Sequence, residues 1–153
     1  MIELTLPYPV SANVYWRTAV VCGRAQTYPS KDAKAYKSAV AAACRSAGIR
    51  APLAGRVSIS VRLYPQQPKD WATRARKDPA GWDDDVRCID LDNANKVVLD
   101  SLKNVAIEDD KWVRELHSRR MEPDGAARVV VRIAQVARPV LPQGELLALG
   151  FIE

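Results

Sequence analysis

The chain has 153 residues, a formal net charge of +5, 48% hydrophobic and 27% charged residues, enough for one domain with a buried core and unlike a fibrous or disordered chain. No apolar run approaches the ~18–20 residues of a membrane span, the start lacks the basic and apolar regions of a secretory signal, and three scattered cysteines with a single histidine offer no zinc spacing. Reduced thiols in a cytoplasmic protein are expected, with no membrane association, and the basic balance favours a polyanionic partner.

Ile2, Leu4 and Leu6 alternate with Glu3 and Thr5, predicting a half-buried strand stopped by Pro7 and Pro9. Ser11 to Arg17 is polar and aromatic, and its Asn13, Tyr15 and Arg17 are candidates for contact with nucleic acid, since rings beside a cation can stack on bases. Equally, Tyr15 and Trp16 could cover a core edge. Arg24 to Tyr28 is read as a short strand. Ser30 is placed to cap a helix with Asp32 in its first turn, Tyr36, Val40, Ala43 and Ala47 along one side, and Gly48 as its stop. Its lysines read as a solvated face.

Val57, Ile59, Val61 and Leu63 alternate with Ser58, Ser60 and Arg62, the cleanest strand pattern in the chain. The following stretch, about 66–88, is polar and rich in proline; its Lys69, Arg74, Arg76 and Lys77 suggest a mobile basic flap, and Asp83 to Asp85 read as solvated acids. Trp112 to Met121 and Arg128 to Ala137 read as two strands. Glu122-Pro123-Asp124-Gly125 between them is a turn signal, so a hairpin is expected. Lys111, Arg119 and Arg120 make its first strand basic; His117, with no second histidine or nucleophile at hand, reads as structural. Residues 1–137 are expected to form a single domain, and 138–153 an extension. The element order predicts an α+β fold, a two-layer sandwich with helices packed on one face of a mixed sheet.

The chemistry concentrates at Asp90-Leu91-Asp92-Asn93-Ala94-Asn95-Lys96. If the backbone there is extended, alternate side chains point the same way, so Asp90 and Asp92 can converge on a hard cation such as Mg²⁺. Ala94, Val98, Leu102 and Val105 supply the buried stripe of the helix that follows, and Lys96 lies one turn after Asp92. The alternative at this point is that Asp92 merely caps the helix and Lys96 is an ordinary ion-pair partner. Glu108-Asp109-Asp110 is a second acidic group, and chain reversal after the helix is expected to bring Asp110 beside Asp90 and Asp92.

These residues together resemble a known family. Asp90-Leu91-Asp92-Asn93-x-x-Lys96, Asp100-x-Leu102 and Asp109-Asp110-x-x-Val113, with Leu6-Pro7-Tyr8-Pro9 and Ser11-x-Asn13-x-Tyr15-Trp16-Arg17 near the start, are similar to the RusA family of Holliday junction resolvases of bacteria and their phages. The resemblance spans most of residues 2–137. It implies a RusA-like fold and a homodimeric, Mg²⁺-dependent endonuclease, with Mn²⁺ able to substitute, that nicks four-way DNA junctions symmetrically in recombination and repair. It implies further that Asp90, Asp92 and Asp110 hold the metal, that Lys96 is needed for cleavage, and that no nucleotide cofactor takes part. The 66–88 segment is longer than the family's usual basic loop, and the spacing to Asp109-Asp110 is one residue shorter. Two other functions remain in view: a metal-dependent nuclease for flaps or other branched DNA, and a non-catalytic DNA-binding protein of the same fold.

Overall fold

A computed structural model describes residues 1–138; the expected 138–153 extension lies, but for its first residue, outside the described residues. The fold is α+β. In chain order it runs β1 (Ile2–Pro7), α1 (Ala12–Tyr15), β2 (Trp16–Val21), β3 (Arg24–Pro29), α2 (Lys31–Ser46), β4 (Val57–Tyr64), α3 (Trp71–Lys77), α4 (Leu91–Leu102), a 3₁₀ turn (Asp110–Trp112), β5 (Val113–Arg120) and β6 (Arg128–Gln135).

Four strands form one mixed sheet in the order β1-β6-β4-β5. Its register explains the core. Leu6, Val129 and Leu63 share one row across three strands, Leu4, Val131 and Val61 the next, and Ile2, Ile133 and Ile59 the third. Apart from Ile2, all of these are buried, so the period-two pattern places one apolar face inward. On the other face Arg132 meets Glu3 across the β1/β6 pair at 2.6 Å. Two helices cover the apolar face. From α2 come Ala33, Tyr36, Val40 and Cys44, and from α4 come Ala94, Val97, Val98 and Leu102. The stripe on α2 is therefore shifted from the expected one: Ala47 is exposed beside Gly48, whose φ of +85° closes the helix.

The expected hairpin of the last two strands does not form. β5 and β6 lie on either side of β4, β5 parallel to it and β6 antiparallel. The reason is composition. β4 is the strand with a fully buried alternate face, whereas β5 reads Val-Arg-Glu-Leu-His-Ser-Arg-Arg and is exposed along most of its length, so β5 suits the sheet edge. The turn residues 122–125 then serve a longer connection past the end of β4, where Met121 N–H donates to the Leu63 carbonyl at 2.8 Å. From β4 to β5 the chain makes a parallel crossover, whose long connection carries α3 and α4.

The 66–88 stretch is likewise not a free flap. It contains α3, and its Trp82 is buried and donates from Nε1 to Glu122 at 2.7 Å. Gln67 N–H donates to the Gly125 carbonyl, and the Gln66 side chain accepts from Ala127 N–H. The three cysteines are free. No helix among the described residues is long and apolar enough to cross a membrane.

Candidate active site

Asp90 is the residue that opens α4, with extended backbone at φ −64° and ψ 145°, and Asp92 lies in the first helical turn. Neither acid is used for the purpose such a position usually serves. The Asp90 side chain makes no capping hydrogen bond, whereas Ser30 at the head of α2 accepts from Ala33 N–H at 3.1 Å. An uncapped start forgoes roughly 1 kcal/mol. The capping alternative for Asp92 thus has no support, and neither carboxylate has an ion-pair partner among the described residues. Both are exposed, as is Lys96 one turn on. The positive end of the helix dipole favours acids here.

The approach to α4 is held from below. Tyr8, set between Pro7 and Pro9, accepts a hydrogen bond at its hydroxyl oxygen from Ile89 N–H at 2.7 Å, and burial pushes its phenol up to about 12. Next to it opens a cavity of about 830 Å³, whose lining includes Tyr8, Ser11, Asn13, Arg74, Asp90 and Asn93. Arg74 comes from α3, where it pairs with Asp70 at 3.0 Å; Lys69, Arg76 and Lys77 are exposed around it. The cavity lining therefore holds Asp85 and Asp90 together with Arg74, Arg87 and Asn13, and the other cations of the α3 segment form an exposed rim beside Arg74.

Other expected site residues are placed elsewhere. Tyr15 is fully buried, and its hydroxyl donates to Asp100 Oδ2 at 2.5 Å, with Lys37 Nζ 3.0 Å from the same oxygen. Its ring belongs to the core and is not presented to DNA; burial raises its pKa. Arg120 spends its guanidinium on the Asp83 and Val86 carbonyls, at 3.0 and 2.9 Å. It clamps the segment leading to Asp90. Arg17 and Arg119 are exposed.

Asp110 does not join Asp90 and Asp92 within the chain. Helix α4 runs opposite to β5: Asn95 near its start accepts from Ser118 near the end of β5 at 2.8 Å, while Lys103 after its end lies 3.6 Å from Asp109, just before β5. Five strand residues at ~3.3 Å each, about 17 Å, separate Val113 from Ser118, so Asp110 and Lys111 stand at the other end of the sheet. There Asp109 and Asp110 act on each other. A hydrogen bond between the two carboxyls holds Asp109 below the usual carboxylate range and pushes Asp110 above it. No group of three or more His, Cys, Asp or Glu that could hold a metal exists among the described residues. A three-acid metal cage in one chain therefore does not fit. The extended backbone expected through Asp92 ends at Asp90, since α4 begins at Leu91. By donor chemistry alone, Asp90 and Asp92 are carboxylates of the kind Mg²⁺ takes one or two at a time, with water and substrate phosphate as its remaining ligands.

Sequence reasoning missed the supports of this site: Tyr8 under Ile89, Arg120 behind residues 83–86, and Trp82 tied to Glu122. Only Tyr8 carried a signal, in the rigid Pro-Tyr-Pro setting. Comparison with curated proteins finds no match. The profile of one protein family, described as Endodeoxyribonuclease RusA, matches residues 7–134, a span that includes the uncapped α4 acids, Lys96 and the cationic rim. The chain belongs to the RusA family of endodeoxyribonucleases.

Proposed function

We propose that the chain cuts four-way DNA junctions by paired symmetric nicks, as a Mg²⁺-dependent homodimer, in recombination and repair of a bacterial or phage genome. The observation that carries this reading is the pair of carboxylates left uncommitted at the head of α4, of which Asp90 lines a cavity together with Arg74 and Arg87. A protein that only bound DNA would gain nothing from exposed acids where phosphates must approach.

Asp90 and Asp92 would hold the cation, which supplies Lewis acidity and a water of lowered pKa; Mn²⁺ has the same ligand preferences. Lys96 shares a helix face with Asp92 and stabilises charge that accumulates on the scissile phosphate or its leaving oxygen. Arg74 and the lysines and arginine around α3 grip the backbone, which orients DNA by shape rather than by base sequence. Asn13, also in the cavity lining, adds a neutral donor. Two copies related by a two-fold axis present two such sites, matching two nicks.

The test is a labelled synthetic four-way junction incubated with Mg²⁺ and, separately, with EDTA. Symmetric paired nicks that appear only with Mg²⁺ are expected. Junction retention without cutting under both conditions would turn the protein into a binding module, and preferential cutting of flaps would redirect it to other branched DNA.

A further inference from the structure

β2 and β3 form a two-stranded ribbon that, among the described residues, pairs only with itself and is separate from the main sheet. Most of its residues are exposed. Two-residue reversal at Cys22 and Gly23, with φ of 52° and 77°, closes its tip as a tight hairpin turn. Such a ribbon is marginal by itself, and it leaves apolar groups in water: Val20 is 74% exposed, Tyr28 47% and Val21 46%.

The register sorts its side chains. Directly paired residues share a face, so Arg17 with Tyr28, Ala19 with Gln26, and Val21 with Arg24 form one face. Trp16 with Pro29, Thr18 with Thr27, and Val20 with Ala25 form the other. The first face therefore carries both arginines of the ribbon, its tyrosine and its glutamine. No acid occurs between Glu3 and Asp32, so nothing in the ribbon repels phosphate.

The ribbon's root is fixed to the site. Ser30 N–H donates to the Tyr15 carbonyl at 2.8 Å, closing the base, and the Tyr15 hydroxyl is held by Asp100 on α4. Ser11 and Asn13, just before β2, line the cavity beside Asp90. A groove ~12 Å wide admits a two-stranded ribbon, and the four-residue offset from Arg17 to Val21, whose partner is Arg24, spans about 13 Å.

We propose that this ribbon is an arm that enters a groove of the bound DNA, its Arg17, Tyr28, Gln26 and Arg24 face turned to the nucleic acid. The inference rests on the DNA-cleaving function above and names an element that reaches the substrate outside the cavity. Arg17 and Arg24 contact backbone phosphates at the two ends of the face, Tyr28 stacks or packs beside Arg17, and Gln26 lies between the ends.

The test uses the full chain and a labelled four-way junction in EDTA. A photo-crosslinker placed on the exposed Cys22 thiol should attach to DNA, with the linked peptide mapped to the ribbon tip. Arg17→Ala with Arg24→Ala should weaken junction binding about tenfold or more and lower the salt slope by about 2. Unchanged affinity and slope, with no crosslink from Cys22 to DNA, would overturn the proposal. So would a crosslink from Cys22 to a second copy of the chain, which would make the ribbon a subunit contact. If the double variant fails to fold, the wild-type crosslink decides alone. A wild-type chain that does not bind the junction at all would instead remove the junction-cutting function, and the arm with it.

Discussion

Asp90 and Ser30 occupy equivalent positions at the heads of two helices and behave differently. Ser30 is buried and caps; Asp90 is exposed and does not. The difference leaves a carboxylate free at a place where helix formation would ordinarily consume it, and Asp92 and Lys96 add an acid and a cation on the same helix. Lys96→Met, which keeps most of the apolar stem, should therefore lower the rate of junction cutting about 10²–10³-fold. Binding in EDTA should stay within a few fold of wild type. A cutting rate close to wild type would remove Lys96 from the chemistry. Tyr15 is the opposite case, an aromatic residue whose sequence setting suggests contact with bases and whose ring is in the core. Tyr15→Phe keeps the ring and deletes the bond to Asp100, which retains Lys37. The expected cost is about 1 kcal/mol, measured by urea unfolding with an unchanged m-value, and junction affinity should not move. Full stability with weakened DNA binding would return Tyr15 to the interface.

At the scale of elements, the parts legible in the sequence are those whose partners are dictated by periodicity. β1, β4, β6, α2 and α4 all show a buried face at a spacing of two or of three and four residues. What periodicity does not contain is which strand lies beside which. β5 and β6 are near neighbours in sequence with a turn between them, yet the polar β5 goes to the edge and β4 takes the place between them. β2 is not legible because neither of its faces is buried, and α3 because it has no buried residue at all. The α3 segment nonetheless brings Arg74 to the cavity wall, with Lys69, Arg76 and Lys77 exposed beside it. Reversing Lys69, Arg74, Arg76 and Lys77 to glutamate should weaken junction binding and flatten its salt dependence by about one unit of slope for each phosphate no longer neutralised. A salt slope equal to that of wild type would show that α3 does not meet DNA.

The whole molecule is polarised by its parallel crossover. Strands β4 and β5 both end where α4 begins, so the β4 end, the α3 rim, Tyr8 and the α4 acids gather at one pole. Asp109 and Asp110 mark the other, because a strand following a crossover helix starts at the helix's far end. That is why a pattern of acids spaced along the sequence suggests one cluster and the fold divides it. The D-x-D motif and Lys96 can be read directly, since one helix and the residue that opens it carry them; the position of Asp110 depends on the direction of a whole strand. The central claim is that cutting depends on the Asp90 and Asp92 carboxylates at the α4 pole. Its most direct test is Asp92→Asn, assayed for junction cutting with Mg²⁺ and for junction binding in EDTA. We predict that paired nicks fall below detection while binding is preserved or tightened, because a cation ligand and a charge facing phosphate are both removed. Cutting at the wild-type rate would contradict it.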